Sequence, residues 1–586
     1  MSQHKKASHQ NELKHRSYRR WLRFAADNTP AAEIVFISTF ILIRWWNNSD
    51  FSYFTEVFVP IMLFGALASV IFYIYRLILG RGIGAHIAAL ILIYLFYIFQ
   101  FVENSRLGKT VYDILPGFLS SAFSRSVLLA LVLGLFCGLL AWAVVWVFER
   151  YDTLKRIQPY KVLLFTIAFI FLFQLYRTGS RLYELRHQLT YRPPAVNIQP
   201  SAAAAARKPD IYYFVFDRYN SPVSLKENFN FDNSDIVNFL GRQGFTTRQN
   251  AFSNYPFTMS SISSTLRMDY YPDYQKMFGG QGNWQSAAPY RRVLSNPPLA
   301  QILSKQGYTY NQVSSWWDFT RLNIEADNHP TQSFRLRILN KNLFQSDLQR
   351  DIINKSILSP WLKKGLAFGN FGLLKYDLDR NPAENFEAQM KAIGEIAGRA
   401  DKDSPQFTFA HILAPHPPYV FDQNGNPPPY DNESNDNGVD EKVKYTNEMT
   451  YINKRMKEMV SNITRQSPDA VIVIQADEGP YPKQFRGPMS PSHYYDPINL
   501  PDQMMKQKFG IMASYRMPGL TTDEIQQADS SVNVFRVILD NYLGYELPVL
   551  PDCHFATGTK FDIYTYTLVN DRLMGGPNPD ECKQYE

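Results

Sequence analysis

Cysteine is scarce, with three residues in a chain of 586. That excludes a scaffold built on disulfides. There is no long internal repeat, and no low-complexity tract beyond the alanine run 202–206. Charge of one sign is also scarce. The formal net charge is +7, much of it in the N-terminal tail "HKKASHQNELKHRSYRRWLRF". This is a poor basis for binding nucleic acid, and no nucleic-acid partner is expected. About 30 polar residues precede the first apolar run, which does not fit a cleavable signal peptide.

The first third of the chain carries long apolar runs. The remainder is rich in Tyr, Phe, Asn, Asp and Pro, as in a globular domain. A chain this long needs more than one core. Five stretches suit membrane crossing, at about 31–47, 56–79, 85–102, 126–148 and 160–176. The first is short and contains Arg44. The tail, the turn with Arg76 and Arg81, and "ERYDTLKRIQPYK" are basic, so the positive-inside rule puts them in the cytoplasm. An odd number of spans then places the C-terminal part outside. The segment "SRLGKTVYDILPGFLSSAFSR" reads as an interfacial helix. The expected division is a basic tail 1–30, a transmembrane domain 31–176 of about five helices, a linker 177–208 and an outer domain 209–586.

In the outer domain strands and helices alternate. "IYYFVF", "QFTFAHIL", "VIVIQ" and "KFGIMASY" read as strands, and "SDIVNFLGRQGF", "YTNEMTYINKRMKEMVSNITRQ" and "SVNVFRVILDNYLG" as helices. This predicts an α/β domain on a mostly parallel sheet, with ligands beyond the carboxyl ends of the strands. The region around 331–400 fits less well and reads as a helical insertion with a solvated face. Cys137 reads as an apolar packing residue, while Cys553 and Cys582 can pair if that end meets an oxidising compartment.

Candidate chemistry collects past the strand ends. Asp217 follows the first strand, Asp477 and Glu478 follow "VIVIQA", and His416 lies in "APHPPYVF". In "YPFTMSSISSTLR" a helix starting near Thr258 would turn its positive end toward an anion. Three carboxylates in one pocket call for a cation, and a metal would make the Thr258 hydroxyl a competent nucleophile. Trp317, Arg321 and His493 are further substrate-binding candidates, and Lys483 and Arg486 are two cations following the acidic pair.

These motifs, around 210–217, 254–266, 411–418 and 471–480, resemble the alkaline phosphatase and sulfatase superfamily. Within it they resemble the membrane-bound branch of lipoteichoic acid synthases and lipid A phosphoethanolamine transferases. The resemblance implies five N-terminal spans and a sulfatase-like α/β outer domain. It implies a metal held by Asp217, Thr258, Asp477 and Glu478, covalent modification of Thr258, and phosphate binding by His416. Glu478 stands where the family has histidine, in "ADEG". An all-oxygen site would favour manganese, magnesium or calcium over zinc. No cysteine precedes a Pro-Ser-Arg, which argues against a true sulfatase.

The expected function is a metal-dependent transferase in a bacterial inner membrane. It would move a phosphoglycerol or phosphoethanolamine head group from a phospholipid donor, through phosphothreonine, to an envelope glycan or glycolipid. A phosphate or sulfate ester hydrolase of the same fold, and a non-catalytic envelope scaffold, are the alternatives.

Overall fold

The computed structural model describes residues 29–80, 82–114, 122–151, 159–193, 200, 208–280, 285–331 apart from 322 and 324, 335–338, 341–342, 346–359, 374–377, 381–399, 404–429, 440–481, 497–558 and 562–586. The chain forms two compact units. One comprises Met1–Glu184 with Phe334–Leu378, the other Leu185–Ser333 with Asp379–Glu586.

The main helices of the first unit are α1 (Ala31–Asn47), α2 (Phe58–Leu79), α3 (Gly82–Tyr97), α4 (Ala122–Arg150) and α5 (Pro159–Glu184). Among the described residues three stretches, Phe54–Leu79, Arg125–Arg150 and Lys161–Glu184, are long and apolar enough to cross a membrane. They expose large apolar side chains such as Leu77, Leu135 and Phe165. A helix bonds its own backbone internally, so such a surface suits lipid. Helices α1 and α3 have 17 and 16 residues. At ~1.5 Å per residue both fall short of a ~30 Å hydrocarbon core. The expected span 85–102 is cut at Tyr97, and a new short helix starts at Phe99. Of the expected interfacial segment, Arg106–Ile114 is helical, while 115–121 lie outside the described residues. The expected linker begins inside α5, which runs on to Glu184.

Arg44, the charge that makes α1 an awkward span, has a partner. Its Nε donates to Asp351 Oδ2 at 2.8 Å. Asp351 sits on the short helix Asp347–Asn354, started by a capping box of Ser346 and Gln349. Leu348 and Ile352 of that helix join the apolar cluster built by α1 to α4. This part of the 331–400 region is therefore packed rather than solvated. Its i, i+4 apolar pair has a cluster to join, and its acid has a buried-side cation to meet.

The second unit is built on strands β1 (Ile211–Phe216), β2 (Thr246–Thr247), β3 (Thr309–Val313), β4 (Gln406–Ile412), β5 (Val471–Gln475) and β6 (Ala513–Arg516). Their order is β2–β6–β5–β1–β4–β3. The pairs β5–β1, β1–β4 and β4–β3 are parallel, and β6 is antiparallel to β5 and β2. Every residue of β1 and β5 is buried. That is why these strands read as unbroken apolar runs: both faces are covered. On one face Tyr213 stacks on Phe409 with centroids 5.2 Å apart and meets Phe535 edge-on at 5.1 Å. The expected strand "KFGIMASY" is split, since Gly510–Ile511 pairs with Ala251–Phe252 and only Ala513–Arg516 joins the main sheet.

Cys553 and Cys582 form a disulfide across 29 residues, and Cys137 is buried and free. Loop-closure entropy for a cross-link of that span amounts to about 3.6 kcal/mol. Replacing both cysteines with serine should lower the unfolding free energy by about that amount, with a lower urea midpoint and a larger m-value because the open chain exposes more surface when unfolded. An unaltered midpoint would refute it.

Candidate active site

Three neighbouring strands of the sheet each bring one residue to the same point. Val215 lies opposite His411 on β4 and opposite Gln475 on β5. Side chains alternate along a strand, so the residues two positions beyond Val215 and Gln475 face the same side as His411. Those residues are Asp217 and Asp477. One ligand atom from each of Asp217, His411 and Asp477 lies within 4.8 Å of the others, and all three residues are buried.

The turn after β1 aids this arrangement. Arg218 has φ 63°, a left-handed conformation uncommon for a side chain of this size. Its N–H donates to Asp477 Oδ1 at 3.2 Å. His411 is oriented from behind. Its Nδ1 is hydrogen-bonded to Thr320 Oγ1 at 2.9 Å, and Nε2 lies 3.5 Å from Asp217 Oδ2. Such a partner on the far ring nitrogen is how a ligand histidine is aimed.

Asp217 Oδ1, His411 Nε2 and Asp477 Oδ2 are each buried without a hydrogen-bond partner. Buried polar atoms are normally satisfied, so three orphans at one point need an explanation. Two carboxylate oxygens and an imidazole nitrogen form a donor set that fits a divalent cation. The local electrostatics agree. Burial alone would raise Asp217, but His416, His411 and Arg218 outweigh it and hold the carboxyl below its usual range. Burial, Asp217 and Glu478 push Asp477 well above its usual range. Two adjacent carboxyls driven apart in this way carry a charge that a cation would relieve.

Thr258 is the first residue of helix α6 (Thr258–Arg267), so it is not the capping residue. Its side chain lies beside Asp477 and works against the rise in that carboxyl's pKa. Four of the five other hydroxyls of the run are turned inward. Ser260, Ser263, Ser264 and Thr265 donate to the carbonyls of Phe257, Met259, Ser261 and Ser261 respectively. Thr258 stands at the first position of the helix, ahead of them.

Glu478 lies beside this group but not in it. Its Oε1 is 3.1 Å from Arg218 Nε and its Oε2 is 2.7 Å from Lys508 Nζ. Lys508 is the seventh residue of the helix Asp502–Phe509 and is fully buried. Its ammonium also sits over the ring of Tyr481 at 3.8 Å, and the Arg218 guanidinium over the same ring at 4.4 Å. Gly479 lets this helix approach, since a Cβ there would stand 2.0 Å from the Gln507 carbonyl oxygen. Burial pushes Lys508 down to about 8 against the pull of Glu478. Arg218 is held above its usual range because Glu478 and Asp217 outweigh its burial. The preference for an all-oxygen metal site rested on Glu478 as a ligand. In the structure its charge is matched by two side-chain cations instead.

His416 is half-buried, with Nδ1 bonded to the Pro417 carbonyl. Burial and Arg218 lower its pKa to about 4, with Asp217 opposing. Trp317 stacks on Phe319 and meets the His411 ring edge-on at 5.6 Å. Arg321 is buried, held by Asp318 at 3.3 Å and by the Trp316 carbonyl. His493, Lys483 and Arg486 lie outside the described residues.

Sequence reasoning missed His411, Arg218 and Lys508. The alternation within "QFTFAHI" marks His411 as a residue pointing to one face, but not which neighbour it meets. Lys508 carried no local signal.

A parallel α/β sheet with a hydroxyl at a helix start and acids at the strand ends is a hydrolase-like or transferase-like frame. The family model for sulfatases matches residues 226–540, more than half of the chain. The chain belongs to the sulfatase family. Comparison with curated proteins finds no match. Among solved structures, the C-terminal periplasmic domain of EptC from Escherichia coli, complexed with Zn, is 12% identical. It covers 66% of this chain and 100% of that one with a TM-score of 0.40. The lipooligosaccharide phosphoethanolamine transferase A (EptA) from Neisseria meningitidis, an integral membrane protein, is 11% identical. It covers 87% of this chain and 94% of that one with a TM-score of 0.37. The lipoteichoic acid synthase LtaP from Listeria monocytogenes is 10% identical, covering 66% and 92% with a TM-score of 0.35.

Proposed function

We propose that this chain is a membrane-anchored, metal-dependent phosphotransferase using Thr258 as its nucleophile. The observation that carries this is the convergence of three unpartnered donor atoms, from Asp217, His411 and Asp477, beside Thr258. The donor is a phospholipid with a phosphoglycerol or phosphoethanolamine head group, and the acceptor an envelope glycan or glycolipid. The basic segments of the first unit face the cytoplasm and the second unit lies outside, in a bacterial inner membrane. The disulfide Cys553–Cys582 suits such an oxidising side.

Asp217, His411 and Asp477 would hold the metal. When bound, a divalent cation lowers the pKa of a nearby hydroxyl and offsets charge on the phosphoryl oxygens. With an imidazole in the set, zinc and manganese suit it as well as magnesium or calcium. Thr258 Oγ attacks phosphorus as its proton passes to Asp477. The bond from phosphorus to the diacylglycerol oxygen breaks, and that oxygen takes the proton from Asp477, with His416 positioned to bind the phosphoryl oxygens. The acceptor hydroxyl then attacks the phosphothreonine, gives its proton to Asp477 and frees Thr258 Oγ, which takes that proton. Arg218 lies at the rim of this centre, its charge already engaged by Glu478. Trp317 and His493 remain candidates for the substrate wall. Arg321, tied to Asp318, supports the Trp316–Trp317 turn.

The test is capture of the intermediate. Full-length protein mixed with phospholipid radiolabelled in its head-group phosphate should carry label on the peptide containing Thr258. Label released to water at the same rate with or without a glycan acceptor would favour the hydrolase. No label and no bound divalent metal would favour the scaffold. A separate expectation concerns metal affinity. His411→Ala and Asp217→Asn should each weaken it at least tenfold, about the loss seen when even an outer-shell partner is removed. Isothermal titration with manganese and zinc measures this.

A further inference from the structure

Glu448 belongs to the helix Glu441–Gln466 and lies outside the group described above. It is fully buried. Its Oε1 accepts from the N–H groups of Val420 at 2.7 Å and Phe421 at 3.3 Å. Its Oε2 is buried with no hydrogen-bond partner. On the helix Pro382–Ala397, Asn385 is also buried and its Nδ2 has no partner. Both residues line one cavity of about 10 Å3, whose wall also includes His416, Gln389 and Leu413. A cavity of this size holds the centre of one water molecule, and orphaned polar atoms in its wall are the partners such a water requires.

We propose that this cavity holds one structural water joining Glu448, Asn385 and His416, and that Glu448 acts through it as a positioning residue for His416. The inference rests on the reading that His416 serves the phosphoryl transfer. Burial, partly offset by the Val420 and Phe421 donors, raises Glu448 to about 8, so at neutral pH it is an acid with an O–H to give. The water accepts from that O–H and from Asn385 Nδ2, and keeps its own protons for the His416 side. One carboxyl then fastens both ends of the segment 416–421. Oε1 holds the Phe421 end directly, and Oε2 holds the His416 end through water. Gln389, in the same wall, donates to the His411 carbonyl at 2.9 Å. The cavity thus adjoins the supports of both histidines.

The test uses full-length protein in lipid nanodiscs with a phospholipid donor, together with a structure that resolves ordered water. Glutamine can accept from Val420 and Phe421 and donate to the water. Glu448→Gln should therefore keep kcat within about threefold of wild type and keep the water. Glu448→Leu fills the same space without donating, and should lower kcat at least about tenfold with the donor KM within about twofold. Should that variant fail to fold, Asn385→Leu serves instead and should lower kcat about three- to tenfold with bound metal unchanged. Glu448→Leu also strips the Val420 and Phe421 N–H groups of their acceptor, so Asn385→Leu, which leaves both bonds in place, is measured beside it even where it folds, and a role through those bonds alone would leave the Asn385→Leu kcat at the wild-type value. Wild-type kcat in the folded leucine variants, or a dry cavity in the wild-type map, overturns the proposal. The water is read from density independently of turnover. A failure of the Thr258 chemistry would therefore appear separately, as undiminished activity in Thr258→Ala.

Discussion

Thr258→Ala should lower turnover of a phospholipid donor by about a thousandfold or more, with fold and metal content unchanged. The loss is large because most hydroxyls of the run "TMSSISS" are already committed. Ser260, Ser263 and Ser264 spend their hydroxyls on carbonyls of their own helix. Thr258 sits on the first turn, where the helix N-terminus also favours the anionic oxygens of the transferring group. Thr258→Ser keeps an attacking oxygen but frees its rotamer, because serine lacks the methyl group that stiffens χ1. It should retain about one-tenth of the rate. Initial rates of diacylglycerol release measure both. An alanine variant as fast as the wild type would eliminate the nucleophile and the intermediate together.

Lys508→Met should destabilise the second unit by about 3–5 kcal/mol, the cost of removing one partner from a buried ion pair. The methionine fills much of the lysine volume, so packing is not the main loss. What remains is Glu478, buried, with only Arg218 to offset it while Arg218 also serves Asp217. Glu478→Gln makes the opposite error and leaves two buried cations facing an amide. The double variant removes both charges, so it should lose far less than the sum of the two singles. Urea unfolding of the four proteins forms a double-mutant cycle. Additive losses would show that Lys508 and Glu478 do not act as a pair. The same logic bears on Glu478→His. Restoring the family residue would set an imidazole between Arg218 and Lys508 and is expected to weaken the fold, not to rebuild a ligand.

The two carboxylates of "ADEG" thus have separate fates. Asp477 joins the candidate metal group and Glu478 joins a side-chain ion cluster. From the strand pattern alone they look like a pair holding one cation. The sequence points to Asp217, Thr258, Asp477 and His416 as candidates, because each follows a strand or begins a helix, and those boundaries are set by local turn chemistry and apolar periodicity. It could not show that Arg44 meets Asp351, 307 residues away, or that "DLQRDIIN" packs with the N-terminal helices.

What the sequence by itself determined is the kind of each element: apolar helices in the first third, buried strands and their acidic ends in the rest, and a threonine at a helix start. These follow from side-chain period and from capping, which act over a few residues. What only the tertiary structure decided is which groups meet. His411 faces Asp217 because β4 pairs with β1 in a register that sets it opposite Val215. Lys508 neutralises Glu478 because Gly479 lets another helix approach its backbone. Strand register and helix approach are settled by packing across hundreds of residues, and no local stretch of chain encodes them.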